Sequence, residues 1–171
     1  MPVSTVPIDA IDAMPVPDAV ALLGDVLEDA PDLAELVVAR RPFGSVDALV
    51  AAFATVLDDL DPDRALALLR AHPELGSRGP MAAASVDEQA SAGLVDAEED
   101  LRARLAAANG AYRERFGFPF VLAMRGRTAV EVLPELERRV ANDPDVELAA
   151  ALAQVREIAR LRIGLLVGGA P

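Results

Sequence analysis

HPELGSRGPMAAASVDEQASAGL, His72 to Leu94, is the stretch where an otherwise regular helical pattern breaks. On either side the chain reads as alanine- and leucine-rich segments with apolar residues three and four positions apart, the mark of amphipathic helices. Inside it, glycines and a proline punctuate Gly76–Ala84 as a loop. Residue types able to do acid–base chemistry gather there. The single histidine of the chain, His72, is followed at once by Pro73, and further on stand Ser85, Glu88 and Gln89.

Working back from His72, Asp61-Pro62 pairs an N-cap with a first-turn proline and starts a helix through Leu66 and Leu69 that runs into the histidine. Ser45 caps a helix whose inner face is Leu49, Phe53, Val56 and Leu57. Pro31 opens another, with Leu33, Leu36 and Val37 facing in and an end at Arg40-Arg41. Val20, Leu23 and Leu27 mark one between Pro17 and Glu28. Residues 1–16, with little periodicity, read as an arm with one short turn at Asp9–Ala13, and residues 17–171 as a single helical domain.

Working forward, Ser85 begins a short helix. Asp96 and Glu99 form a capping box for a long one, with the stripe Leu101, Leu105, Ala108, Tyr112 and Phe116 and a stop at Gly117. The run FPFVLAM, Phe118–Met124, has strand length but no second strand to pair with, so it is expected as an extended segment buried between helices. Thr128 and Glu131 form a further capping box, and Pro134 beyond the first turn predicts a kink or a late start. Asp143-Pro144 opens the last helix, to about Val167, closed by Gly168-Gly169. The expectation is an all-α, single-domain bundle of about seven to nine helices with one short extended segment at about 118–124.

Composition narrows the function. The 171 residues are 53% hydrophobic and 4% aromatic, with no cysteine or tryptophan. Without cysteine there is no disulfide framework or thiolate metal site, and one histidine cannot make a His-rich one; no metal and no cofactor are expected. A formal net charge of −12 repels phosphate backbones, so nucleic acid is not an expected partner. An anionic substrate would need local arginine or backbone N–H groups to hold it. No apolar run approaches the roughly 20 residues that span a bilayer, and the N-terminus has neither the basic nor the apolar region of a signal peptide. A cytoplasmic protein with no membrane partner is expected.

Each candidate residue also has a plain structural reading. His72 suits a helix C-terminus as a dipole partner, and Ser85-x-x-Glu88 matches a capping box in full. Arg162 is less easily dismissed. It shares the apolar stripe of the last helix with Val155, Ile158 and Leu166, and a buried arginine needs a partner: a carboxylate such as Glu88, backbone carbonyls or a bound anion. Arg138 and Arg139, and likewise Arg156 and Arg160, fit solvated faces. On these grounds alone the chain is a helical domain with a possible site.

Read together, the motifs HPEL at 72–75, S-x-x-EQ at 85–89 with A-G-L at 92–94, and N-x-x-Y-x-x-x-FGFPF from Asn109 to Phe120 resemble the 2-oxo-4-hydroxy-4-carboxy-5-ureidoimidazoline (OHCU) decarboxylase family. RRPFGSVDALVAAF at 40–53 and REIARLRI at 156–163 look like further blocks of it, in the family's order. The resemblance implies an all-α, cofactor-free homodimer that converts the anionic small molecule OHCU to (S)-allantoin in uric acid breakdown. It implies that His72 is catalytic, with Glu88 a second candidate. It also implies substrate contacts from Pro73, Ser85, Glu88, Gln89, Arg162 and the extended backbone of Phe120, Val121, Leu122, Ala123 and Met124. The chain departs from the family at Asp32-Leu33, where an aromatic is common. Its loop after the histidine is short, which leaves Arg78 without a clear counterpart. A non-catalytic helical interaction module, or a lyase acting on another ureido anion, are the alternatives.

Overall fold

Prolines and short polar residues start most of the helices. The computed structural model describes residues 5–28, 30–76, 83–94 and 99–168. Arg78, Asp96, Gly169 and most of the loop after His72 lie outside them. The described residues form nine helices and no strand: α1 Ile8–Ala13, α2 Val16–Gly24, α3 Pro31–Val38, α4 Val46–Asp58, α5 Pro62–Ala71, α6 Ala83–Ser91, α7 Glu99–Phe116, α8 Ala129–Arg139 and α9 Pro144–Val167. The Ser45 hydroxyl accepts from the Ala48 N–H and the Asp61 carboxylate from the Arg64 N–H, each satisfying an N–H that the first helical turn cannot. Thr128 and Glu131 form the expected capping box, so α8 starts on time and continues through Pro134. Gly168, at φ 73°, ends α9 in the left-handed region.

The core is one continuous cluster. α9 runs along α4 and touches α5, α2 packs on α3 and α3 on α4, and α7 lies against α8. Leu49, Phe53, Val56 and Leu57 are buried as the stripe of α4 requires. α3 differs from expectation: Leu36 is 52% exposed, while Ala34 and Val38 are buried with Leu33 and Val37. The helix ends at Val38, and its inward face follows the 33/34/37/38 set that a three-and-four spacing selects. Asp32, beside the buried Leu33, pairs with Arg64 on α5.

The stretch expected as an arm is bonded to the rest of the fold. Ile11 of α1 is fully buried. The Asp12 carboxylate accepts from the N–H groups of Phe43 and Gly44 at 2.8 and 2.9 Å, and Arg41 donates to the carbonyls of Ile11 and Met14. Thus α1 holds the turn that feeds α4.

The segment Phe118–Met124 has no regular secondary structure and is buried throughout. A chain in that state must satisfy its polar backbone by other means. The Ala123 N–H donates to the Gln154 side chain of α9 at 3.1 Å, the Met124 carbonyl accepts from the Arg127 N–H, and the Val121 carbonyl accepts from Arg139 at 2.9 Å. Arg139, expected on a solvated face, is only 2% exposed. It follows Leu136 by three residues and Val132 by seven, on the buried stripe of α8.

Candidate functional site

Helix α5 delivers His72. The proline that follows pushes His72 out of the helical region, to φ −68° and ψ 139°, and its ring is buried. Nδ1 lies 2.9 Å from the Leu68 carbonyl one turn back. A carbonyl can only accept, so the proton is on Nδ1 and the neutral ring keeps its lone pair on Nε2. Nε2 is buried and has no hydrogen-bond partner among the described residues. Burial is the strongest influence on the ring and carries its pKa below the ordinary 6.5. The Leu68 bond and the carboxylates of Glu28 and Glu88 pull it upward, while Arg162 works with burial. The ring is therefore a neutral base near pH 7.

Arg162 enters from α9. Its Nε and Nη2 donate to the two oxygens of Glu88 at 2.9 and 3.0 Å, a bidentate fork. Nη2 also donates to the Ser85 hydroxyl at 2.9 Å, and Nη1 to the carbonyl of Asp25 at 3.2 Å and the carboxylate of Glu28 at 3.3 Å. Ser85 in turn donates to Glu28 at 2.6 Å. Burial disfavours this cation, but its bonds to Glu88 and Glu28 prevail and hold it firmly protonated. The capping reading of Ser85-x-x-Glu88 is overturned: Ser85 is the third residue of α6, buried, with its hydroxyl spent on Glu28 rather than on a helix N–H.

Glu28 is the residue that the sequence did not single out. It is 3% exposed and lies in the turn after α2, where no helical stripe marks it. Its signal was indirect, since a buried arginine on α9 needed more acceptors than Glu88 alone supplies.

A small cavity brings these groups together. His72, Pro73, Ser85, Glu88, Gln89, Phe120, Val121, Leu122, Met124 and Arg162 all line it, with Leu75 and Ile158. Of the expected set only Ala123 is not on its wall, its N–H being turned to Gln154. Gln89 faces the cavity but gives its side-chain oxygen to the Gly76 N–H at 2.8 Å, and Asn109 donates to the Leu75 carbonyl at 2.9 Å. These two bonds fix the chain just after His72. The inner cavity holds about 20 Å³, room for little more than a water molecule. A second cavity of about 780 Å³ abuts it, shares Glu88, Met124 and Arg162, and is also lined by Asp25, Asp87, Arg125 and Arg127. Its size is that of a small-molecule site. The Glu88–Arg162 pair thus stands between a roomy outer chamber and a tight inner one. Among the described residues, no group of three or more His, Cys, Asp or Glu could hold a metal ion, and no helix is long and apolar enough to cross a membrane.

The arrangement is that of a small-molecule site in an all-α scaffold, with a neutral imidazole beside a buried cation and extended backbone. Comparison with known proteins says which. The family model for OHCU decarboxylase matches residues 12–164, and the chain belongs to that family. It is 38% identical over 162 residues to the mouse 2-oxo-4-hydroxy-4-carboxy-5-ureidoimidazoline decarboxylase, covering 92% of this chain and 91% of that one. The protein of the same description from Haloferax volcanii is 41% identical over 140 residues, 82% of this chain and 83% of the other. Among solved structures, an (S)-allantoin synthase superposes with a TM-score of 0.73 at 29% identity; the match covers 92% of this chain but 53% of that one. An OHCU decarboxylase solved in the presence of (S)-allantoin also gives 0.73, at 24% identity, over 86% of this chain and 98% of the other. That second likeness is one of fold.

Proposed function

We propose that this protein decarboxylates OHCU to (S)-allantoin in uric acid degradation, with His72 moving the proton. The observation that carries the assignment of His72 is its Nε2: a buried, unprotonated ring nitrogen on the wall of a cavity that also presents Arg162, Glu88 and extended backbone.

The chemistry asks for these groups. When the C–C bond to the carboxylate breaks, carbon dioxide leaves and the bonding electrons move into the adjacent imine, whose nitrogen takes up a proton from water. The ring then holds an enol. As the enol collapses to a carbonyl, its hydroxyl proton departs and a proton is added to one face of the neighbouring carbon. His72 Nε2, neutral at the outset, accepts the first of these and supplies the second. Delivery from one wall of the cavity gives one enantiomer.

An anionic substrate also has to displace something. Arg162 is saturated by Glu88, Glu28, Ser85 and the Asp25 carbonyl. In this reading Glu88 exchanges its bidentate hold on Arg162 for the ureido N–H groups, and the freed face of the guanidinium takes the substrate carboxylate. Glu28 and Ser85 keep Arg162 in place during the exchange. Gln89 and the backbone of Phe120–Met124 complete the contacts. The family resemblance further supports action as a homodimer, in the cytoplasm.

Freshly oxidised urate supplies the test. With the protein present, allantoin should form faster than spontaneously and rotate polarised light as the S enantiomer. A racemic product formed at the uncatalysed rate rules the activity out, and sedimentation of the same preparation reads the assembly state.

A further inference from the structure

We infer that Arg139 is a positioning residue for this reaction, setting the shape of the extended segment that meets the substrate without touching the substrate itself. The inference rests on the reading of Phe120–Met124 as ligand-facing backbone.

Three helices converge behind that segment. Arg139 of α8 donates through Nη1 to the Val121 carbonyl at 2.9 Å and through Nε to Glu147 of α9 at 2.9 Å. Its guanidinium lies 4.6 Å from the centre of the Phe120 ring. Glu147, with no exposed surface, also accepts from the Tyr112 hydroxyl of α7 and from Asn142 at 2.7 Å. Phe120 and Val121 are thus held from behind by one guanidinium, while both line the inner cavity in front.

The choice of residue is informative. A buried ion pair is often no more stabilising than well-packed apolar side chains of similar volume. What the pair supplies is direction, because the planar fork of arginine meets the carboxylate and the carbonyl at fixed angles, which an ammonium cannot do. An extended segment with no ladder partner has no internal geometry of its own. Here it takes its geometry from this fork, so an error in the fork becomes an error in where the substrate lies against His72.

The test uses two variants and a control. Arg139→Lys keeps the charge but loses the fork. Arg139→Met combined with Glu147→Gln removes both charges together, so that no carboxylate is stranded, and keeps the protein folded should the lysine variant fail to fold. Leu49→Ala, a core truncation in α4, matches the loss of thermal stability elsewhere. Turnover of OHCU and binding of (S)-allantoin are measured well below every melting midpoint. Both Arg139 variants should lose about ten- to a hundredfold in kcat/KM, the penalty of a displacement near 1 Å, and bind (S)-allantoin more weakly, with the acid limb of the pH profile unmoved because His72 is untouched. Leu49→Ala should keep the wild-type kcat/KM. Wild-type kcat/KM in either Arg139 variant, or an equal loss in Leu49→Ala, reduces Arg139 to a structural residue. If the unmutated protein neither turns over OHCU nor binds (S)-allantoin, the reading of the segment fails first and the positioning role falls with it. An active wild type with active Arg139 variants refutes the positioning role alone.

Discussion

Among the described residues two arginines are buried, and they are buried differently. Arg139 sits in a closed ring of Glu147, Tyr112, Asn142 and a backbone carbonyl, where the carboxylate is fully covered. Arg162 holds the same kinds of partner, but Glu88 keeps 21% of its side chain exposed and borders both cavities. Each cluster also has a proton-bearing neighbour. Burial and the bond to Glu147 push the Tyr112 hydroxyl far above its ordinary pKa, so it stays a donor. Burial pulls His72 the other way and leaves it a base. On the proposed reading, the difference separates holding from reacting: the covered partners make a fastener, and the partly exposed ones make a site.

The comparison breaks most visibly at His72. His72→Asn keeps a group able to donate to the Leu68 carbonyl, so the protein should fold with a near-normal melting midpoint while turnover falls by about 10²–10⁴-fold. A variant with wild-type turnover would remove imidazole from the mechanism. On the other side, Arg139→Met alone strands Glu147 in the core and should cost about 3–5 kcal/mol of stability, read by urea denaturation. A loss below about 1 kcal/mol would mean that the ring is not closed.

Glu88→Gln sharpens the contrast at smaller amplitude. It keeps the shape of α6 but removes a charged acceptor, which is worth roughly 1.5–3 kcal/mol, or about ten- to a hundredfold if realised in the transition state. Turnover should fall while the protein stays folded; undiminished turnover would leave Arg162 without an exchangeable partner. The smallest effect lies in pH. Because the folded-state pKa of His72 is below 6.5, the unfolded chain binds its proton more readily than the native one does. The contribution of His72 to stability is complete above about pH 6.5 and is lost as pH falls from there through the lowered folded value. Activity should be level near neutrality with an acid limb whose midpoint lies below 6.5, and His72→Asn should flatten the corresponding part of the stability curve. An acid limb centred above 6.5 would show that the carboxylates outweigh burial.

Most of the fold was legible because its rules are local. Ser45, Asp61 and Asp143 stand before their helices, and the α4 stripe is buried as read. The site was legible through motifs in order rather than through any one of them. Where local rules misled, a distant partner had outbid a near one. Ser85-x-x-Glu88 has the letters of a capping box, yet both side chains are claimed by Arg162 and Glu28 across the fold. Glu28 has no pattern of its own and is visible only once the partners of Arg162 are counted. Arg139, expected on a solvated face, carried a signal too: the three-and-four spacing that marks Arg162 marks it equally.

Glu147 and Arg162 lie on one stripe of α9, with Ala151, Val155 and Ile158 between them. The helix therefore works as a ruler about 22 Å long between the fastener and the site. Its graduations are angular as well as linear, since each residue turns the stripe by about 100°. Adding or deleting a single residue between Ala151 and Ile158 would keep every side chain that the chemistry uses, and would still rotate Arg162 away from Glu88 and out of the cavity. A seven-residue change nearly restores the phase, but it moves the arginine two turns along the axis. The centre of α9 carries no reacting group, yet its length is as strictly set as any residue in the site.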